Sequence, residues 1–202
     1  MVPETPSNIP LNELIVLAQE LQEFFESHGW RYCFIGGLAV QTWSEPRYTK
    51  DVDITLLTGF GEEEGFIDAL LTRYKPRRPD ARAFALVNRV LLLQNAEGIG
   101  IDIALGALDY EAHAVRRARP VEVYPGTRIR LCTPEDLIVM KAFASRERDW
   151  NDVRMTIVRQ GAAKFDWAYI YEQLTPLADL KEAPEILTQL RALEKRYRDK
   201  GK

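Results

Sequence analysis

Cysteine and histidine are scarce in this sequence, and neither is spaced for metal binding. The 202 residues include only Cys33, Cys132, His28 and His113, and their separations match no zinc-ligand pattern. Both cysteines lie in apolar segments, so we expect two buried thiols rather than a disulfide, which is typical of a reducing compartment such as the cytoplasm. A metal ion used by this chain would have to be bound by carboxylates.

Long apolar runs and a large net charge are also absent. No run approaches the roughly 18 residues of a membrane-spanning helix. Residues 1–10 are polar and lack the apolar centre of a secretion signal, so we expect no membrane attachment. With 27 basic and 30 acidic residues the formal net charge is −3, and 46% of the residues are hydrophobic. This composition excludes a mainly disordered chain and is typical of one globular domain with at most a small appendage.

Hydrophobic periodicity divides the chain near residue 132. Strands are predicted at 32–35, 52–57, 84–93, 99–105 and, as a hairpin, within 121–131. Helices are predicted at 11–28, 38–44, 62–74 and 109–118, and then at 134–145, 149–160, 166–174 and 183–198. Thr133, Pro134 and Asp136 form the expected start of the first C-terminal helix. We therefore predict an α/β (α+β) chain with a mixed part over residues 1–132 and a helical part over residues 133–202.

Three aspartates carry the sharpest chemical signal. In Asp51-Val52-Asp53-Ile54-Thr55-Leu56 the side chains alternate between faces, so Asp51 and Asp53 lie opposite the apolar residues. Asp102 likewise stands alone on one face of the apolar segment Ile99–Leu105. If the two strands are neighbours, the three carboxylates converge into the oxygen-only ligand set that Mg²⁺ prefers. Two such ions about 3.5–4 Å apart can assist phosphoryl transfer.

Each of these acidic features also has a simpler interpretation. Asp-x-Asp pairs are common in solvated loops and in calcium sites, and Asp102 could cap a turn or pair with an arginine. The matching alternation on two strands favours the metal site over these alternatives.

A pair of glycines lies upstream of the aspartates. The segment Phe34-Ile35-Gly36-Gly37-Leu38 predicts a strand that turns through Gly36 and Gly37 into a helix. Glycines permit close approach of the backbone to a ligand, and the N–H groups at a helix start favour a phosphate. A Gly-Gly pair also occurs in plain tight turns, but the Asp-x-Asp motif that follows after thirteen residues favours phosphate binding.

Together these residues resemble the nucleotidyltransferase superfamily of the DNA polymerase β type. In that superfamily a Gly-Gly or Gly-Ser turn precedes Asp-x-Asp on one strand and a third acid on a neighbouring strand, as Gly36-Gly37, Asp51-Val52-Asp53 and Asp102 do here. The segments 47–53, 133–141 and 146–152 look like the AbiEii-like bacterial branch, which includes type IV toxins. The resemblance covers about residues 31–160.

The resemblance implies a fold and a reaction. A small mixed sheet flanked by helices would form the catalytic core over residues 1–132, followed by a C-terminal helical bundle. The reaction would transfer a nucleoside monophosphate from an NTP such as ATP to a hydroxyl group and release pyrophosphate. Asp51 and Asp53 would bind the Mg²⁺ ions, and Asp102 would share one ion and help to deprotonate the acceptor. Gly36 and Gly37 would cradle the β- and γ-phosphates.

Four further residues are candidates for nucleotide binding. Lys141 and Asp149 match positions at which AbiEii-like proteins place a lysine and a later aspartate, and Arg47 and Thr49 could contact phosphate or ribose. Each also has a structural interpretation. Lys141 could extend to solvent beside an apolar helix face, and Asp149 suits a helix start. Arg47 and Thr49 could form a salt bridge and a cap.

The acceptor is left open between RNA, a protein and a small molecule such as an antibiotic. Basic stretches at residues 73–89 and 116–130 could guide an RNA, but they could also be solvated or pair with Glu62-Glu63-Glu64. The alternatives to an AbiEii-like enzyme are an antibiotic-modifying nucleotidyltransferase, a non-catalytic component of a toxin–antitoxin pair with an antitoxin-type partner, and a phosphate-binding module.

Overall fold

A computed structural model describes residues 9–198 of the chain. Its strands are β1 (Tyr32–Phe34), β2 (Asp51–Leu57), β3 (Lys75–Pro76), β4 (Val90–Gln94), β5 (Gly100–Gly106), β6 (Arg119–Tyr124) and β7 (Thr127–Leu131). Its helices are α1 (Leu11–Ser27), α2 (Gly36–Trp43), α3 (Glu63–Arg73), α4 (Ala81–Asn88), α5 (Asp109–Arg117), α6 (Pro134–Ala144), α7 (Glu147–Gln160), α8 (Trp167–Leu180) and α9 (Glu185–Arg198). The predicted α/β class, with helices flanking a small mixed sheet, is confirmed.

The chain groups into two compact units, which are described separately. The first comprises the described residues up to Leu38 together with Tyr48–Cys132, and the second comprises Ala39–Arg47 together with the described residues from Thr133 onward. The division of function between a catalytic core at residues 1–132 and a helical subdomain at residues 133–202 stays a prediction.

The first unit contains a seven-stranded mixed sheet in the order β3-β4-β5-β2-β1-β7-β6. Strand β2 pairs in parallel with β5 and antiparallel with β1. Val52, Ile54 and Leu56 on β2 are fully buried, as are Ile101 and Ile103 on β5. The alternation predicted for these two strands is therefore present, and it leaves the aspartates on the opposite face.

The prediction of one strand at residues 84–93 is wrong in its first half. Residues Ala81–Asn88 form helix α4, and only Val90–Gln94 form strand β4. Ala81 and Ala85 are buried one helical turn apart, and alanine and leucine are strong helix formers. Arg89 ends the helix in a left-handed conformation with φ 55°. The short edge strand β3 was not predicted because a dipeptide such as Lys75–Pro76 carries no periodicity.

The second unit contains the C-terminal helices, and all four predicted ones are present. The Thr133 hydroxyl accepts a hydrogen bond from the Asp136 backbone N–H at 3.2 Å, which confirms the predicted helix start of α6. Helix α8 is longer than predicted and continues through Pro176 to Leu180, because Leu177 and the residue after it are buried.

The two cysteines and the helices agree with what the composition indicates. Cys33 and Cys132 are fully buried thiols that are not joined by a disulfide, as predicted. Over residues 9–198, no helix is long and apolar enough to cross a membrane.

Candidate active site

The three aspartates lie side by side on one face of the paired strands β2 and β5. Asp53 and Asp102 are partners in the parallel register, so their Cα atoms are about 4.8 Å apart. Asp51 lies two residues earlier on β2, opposite Gly100. A Cβ atom at Gly100 would overlap the Asp51 carboxylate, so the glycine leaves the space that this side chain occupies. We call Asp51, Asp53 and Asp102 the acidic face.

A cationic side chain lies on the acidic face. The Arg77 guanidinium forms an ion pair with Asp102, and its other terminal nitrogen lies 3.7 Å from Asp51 Oδ1. Arg77 follows β3, and its backbone N–H donates to Leu92 O at 3.0 Å, which fixes this loop beside the sheet. One of the simpler interpretations of Asp102, that it pairs with an arginine, is thus confirmed. Within residues 9–198, no group of three or more His, Cys, Asp or Glu side chains is arranged to hold a metal ion.

The glycine turn is built against the acidic face. Gly36 begins α2 with φ 55°, and the Gly37 N–H donates to Asp53 Oδ2 at 3.0 Å. A Cβ atom at Gly36 would overlap the Asp53 side chain, and one at Gly37 would overlap Thr49. The two glycines are therefore required for the close approach of this helix start to Asp53 and Thr49, and the first-turn dipole of α2 favours a carboxylate there.

Thr49 lies in the loop that enters β2. Besides its contact with Gly37, its hydroxyl donates to Asp51 O at 3.4 Å. The six predicted site residues in this unit thus form one connected region. They are Gly36, Gly37, Thr49, Asp51, Asp53 and Asp102.

The other three predicted residues meet in the second unit, around one buried lysine. Lys141 Nζ on α6 lies 3.1 Å from Asp149 Oδ1 and 3.1 Å from Asp152 Oδ2, both on α7. Arg47 donates to both carboxylate oxygens of Asp152, from Nε at 2.8 Å and from a terminal nitrogen at 2.7 Å. Lys141 is only 8% exposed, so it does not extend to solvent. We call Arg47, Lys141, Asp149 and Asp152 the ion network.

The carboxyl groups of the ion network are held in the charged form. Burial alone would raise the pKa of Asp149, but the hydrogen bond from Arg146 and the positive charge of Lys141 outweigh it and lower that pKa below its ordinary value. The pKa of Asp152 is lowered in the same way, since Arg47 and Lys141 outweigh the effect of burial. The carboxyl groups of Asp149 and Asp152 are therefore ionised at neutral pH.

Two residues of these clusters were not singled out from the sequence. Asp152 was not among the predicted site residues, and its burial (2% exposed) and its ion pairs with Arg47 and Lys141 show that it belongs to the ion network. Arg77 was counted only as one member of a basic stretch, and its position depends on the loop after β3, which leaves no sequence periodicity.

The basic stretch at residues 73–89 is largely neutralised by acids of its own unit. Pairing with acids such as Glu63 and Glu64 was one of the interpretations of this stretch. Its arginines pair with carboxylates in Arg78–Asp80, Arg82–Glu64, Arg82–Asp68 and Arg89–Glu63.

Two solved structures have a fold similar to that of this chain. A nucleotidyltransferase-like antigenic protein from Paracoccidioides brasiliensis is 16% identical, with a TM-score of 0.52 over 92% of this chain and 95% of that one. The antibiotic-resistance factor ANT(2'')-Ia is 15% identical, with a TM-score of 0.52 over 93% of this chain and 98% of that one. At these identities the likeness concerns the fold alone.

The family follows from the sequence match. Residues 12–198 match the family described as nucleotidyltransferase of unknown function (DUF6036), and the chain belongs to this family. The prediction of a nucleotidyltransferase is thereby confirmed, whereas the AbiEii-like branch stays a prediction. No curated protein sequence is significantly similar to this chain.

Proposed function

We propose that this protein transfers a nucleoside monophosphate from an NTP to an acceptor hydroxyl, with the acidic face as its catalytic centre. The observation that carries the proposal is the parallel register of β2 and β5, which sets Asp53 beside Asp102 with Asp51 on the same face. The start of α2 approaches this face through the Gly37 N–H. Phosphoryl transfer needs mainly positioning and neutralisation of charge, and these groups are suited to both.

The side chains of the acidic face have the donor chemistry that Mg²⁺ accepts, although they are not arranged around a metal ion while Arg77 pairs with two of them. The three side chains offer only carboxylate oxygens, which are the ligands that Mg²⁺ accepts together with substrate phosphates and water. Asp51, Asp53 and Asp102 would hold the ions, and Arg77 would have to leave Asp51 and Asp102 to make room. The chemistry supplied by bound Mg²⁺ would be neutralisation of the triphosphate charge.

The remaining residues would bind and orient the reactants. The acceptor oxygen would form a bond to the α-phosphorus while the bond to the pyrophosphate oxygen breaks, and Asp102 would take the acceptor proton. Gly36 and Gly37 would cradle the β- and γ-phosphates beside Asp53 and Thr49. By the AbiEii-like resemblance, Lys141, Asp149 and Arg47 would also take part in nucleotide binding, for which the positive charges of Lys141 and Arg47 are suited.

The acceptor and the biological role are proposed by analogy alone. The AbiEii-like resemblance favours a toxin that acts on RNA or protein and is restrained by an antitoxin-type partner. A small-molecule acceptor is the second candidate, because the fold is shared with an antibiotic-resistance factor over nearly the whole chain.

The experiment is a transfer assay with α-labelled NTPs, with Mg²⁺ or EDTA, and with cell RNA, protein extract or small-molecule antibiotics as acceptors. We expect label transfer with Mg²⁺ only, and a loss of about 100-fold or more in Asp51→Asn and Asp53→Asn. The control Asp109→Asn removes the same charge from an exposed position of α5 and should keep full activity.

Two outcomes would contradict the proposal. Undiminished transfer by both asparagine variants would show that the acidic face is not the catalytic centre. The absence of transfer to every acceptor, together with the absence of NTP binding, would favour the non-catalytic toxin–antitoxin component or the phosphate-binding module.

A further inference from the structure

A second concave site lies in the first unit, at the end of the sheet away from the acidic face. A cavity of about 390 Å³ opens where β1 begins at Tyr32 and β2 ends at Leu57. Asp51 begins β2 and Leu57 lies six positions later, a distance of about 20 Å along the strand. The cavity is therefore separate from the proposed catalytic centre.

The walls of this cavity carry an excess of positive charge. Its charged lining residues are Arg31, Arg116, Arg130 and Glu26. The Arg130 side chain donates to Val115 O at 3.2 Å, which holds it against α5. In the part of the chain that the structure describes, the side chains of Arg31 and Arg116 have no hydrogen bond or ion pair. We call Arg31, Arg116 and Arg130 the arginine cavity.

The one acid in the cavity is already engaged. Glu26 accepts a hydrogen bond from the Tyr32 hydroxyl at 3.1 Å. Burial, followed by the nearby charge of Glu26, raises the pKa of Tyr32, so its hydroxyl stays a donor. The three guanidinium groups consequently outnumber the single carboxylate. Among the described residues, Glu26 forms no salt bridge with any of the three arginines.

The arginine cavity differs in this respect from the basic stretch that follows α3. There, Arg82 and Arg89 pair with acids on α3, so their charge is compensated inside the protein. In the cavity the charge is left for a ligand. Its wall is also fixed locally, because the Trp30 ring, next to Arg31, packs against Phe25 and Phe66 with centroid separations of 5.9 and 4.8 Å.

We propose that the arginine cavity binds a phosphate group of a second ligand, independently of catalysis at the acidic face. Guanidinium groups bind phosphate through paired, charge-assisted hydrogen bonds, and three arginines line this cavity. The volume is suited to a small phosphate ester up to the size of a nucleotide. The phosphate could belong to a free small molecule or to the backbone of a nucleic acid, and the test separates these sources.

The test is a binding titration of the full-length protein in EDTA, with inorganic phosphate, adenosine 5′-monophosphate and a short single-stranded RNA at constant ionic strength. Calorimetry gives the affinity, and the Nε–H signals of Arg31 and Arg116 in ¹⁵N spectra report on the cavity itself. We expect saturable binding that shifts both signals. The variant Arg31→Gln/Arg116→Gln should bind about tenfold more weakly or worse. Tighter binding of the monophosphate than of RNA assigns the site to a small ligand, and the reverse order assigns it to a nucleic-acid backbone.

The matched control is Arg119→Gln/Arg128→Gln, which removes the same charge from exposed positions on β6 and β7 outside the cavity. It should bind each probe as the unchanged protein does. An equal loss in the control would mean that only the overall charge matters and would overturn the proposal. Absence of saturable binding by all three probes would overturn it as well. Because neither readout requires transfer activity, failure here is distinguishable from failure of the proposed function.

Discussion

Asp51, Asp53 and Asp102 differ in what compensates their charge. Asp53 accepts from the Gly37 N–H at the start of α2, whereas Asp51 and Asp102 share the guanidinium of Arg77. The acidic face is thus balanced by groups of this chain, and a divalent cation would compete with Arg77 for two of the three carboxylates.

This competition leads to a prediction for Arg77→Gln. Without the guanidinium, the carboxylates repel one another, so in EDTA the variant should unfold about 1–4 °C below the unchanged protein. Mg²⁺ should raise the melting temperature more for the variant than for the unchanged protein, because no internal cation has to leave. Differential scanning fluorimetry with and without Mg²⁺ measures both effects. Arg78→Gln, which removes an exposed pair with Asp80, is the control and should show no added response to Mg²⁺.

At the residue scale, the sequence predicted positions on strands better than it predicted partners. The alternation of Asp51 and Asp53 with buried apolar residues is a local property, so their common face could be predicted. The contact of Arg77 with Asp102 depends on where the loop after β3 lies, and that position is set by tertiary packing. The bidentate pair of Arg47 with Asp152, two residues 105 positions apart, likewise leaves no local signal.

At the scale of elements, α6 and α7 are joined by the ion network, which predicts a pH-dependent stability. The pKa values of Asp149 and Asp152 are lower in the folded than in the unfolded chain. The unfolded state therefore takes up protons first as the pH falls, and the stabilisation is present above about pH 4 and lost below it.

The variant Asp152→Asn tests this pH dependence. At neutral pH it should lower the free energy of unfolding by about 1–3 kcal/mol, because Lys141 and Arg47 lose a charged partner. The difference from the unchanged protein should shrink as the pH falls below about 4. Urea unfolding at several pH values measures it, with the exposed Asp179→Asn on α8 as the control. A difference that stays constant down to low pH would contradict the assignment.

Element boundaries were predictable where the pattern has a clear period and failed where it has none. The apolar segment at residues 84–93 fits both a helix and a strand, and Arg89 divides it into α4 and β4 through a left-handed backbone that composition does not reveal. The extension of α8 beyond Pro176 was missed for a related reason, since burial of Leu177 outweighs the hydrogen bond that proline removes.

At the scale of the whole molecule, the buried thiols report on global unfolding. Cys33 and Cys132 are fully buried, so a thiol reagent such as DTNB should react slowly with the native protein and rapidly in denaturant, with a total of two thiols per chain. An added Asp179→Cys on exposed α8 should react at once and serves as the control. Fast labelling of Cys33 or Cys132 in the native protein would contradict this burial.

The class of fold and the nucleotidyltransferase superfamily were predicted from short motifs, because the Gly-Gly turn and the aspartates are local and their order along the chain is distinctive. The resemblance also implied that β5 lies beside β2, but the full order of the seven strands was not predicted, since it places β7 beside β1 although most of the sheet intervenes in the chain. Such pairing is decided by the packing of the whole sheet.

Because Asp53 and Asp102 pair in register and side chains alternate along a strand, the proposed catalytic centre depends on the number of residues that precede each aspartate in its strand. A one-residue deletion inside β5 ahead of Asp102 would turn its carboxylate into the apolar core and an isoleucine toward the acids, whereas a shift of two residues would return an acid to the same face. Changes in length should therefore be tolerated in the turn between β4 and β5, at residues 95–99, and rejected within either strand. Insertions and deletions recovered from a random library of active variants should show this parity.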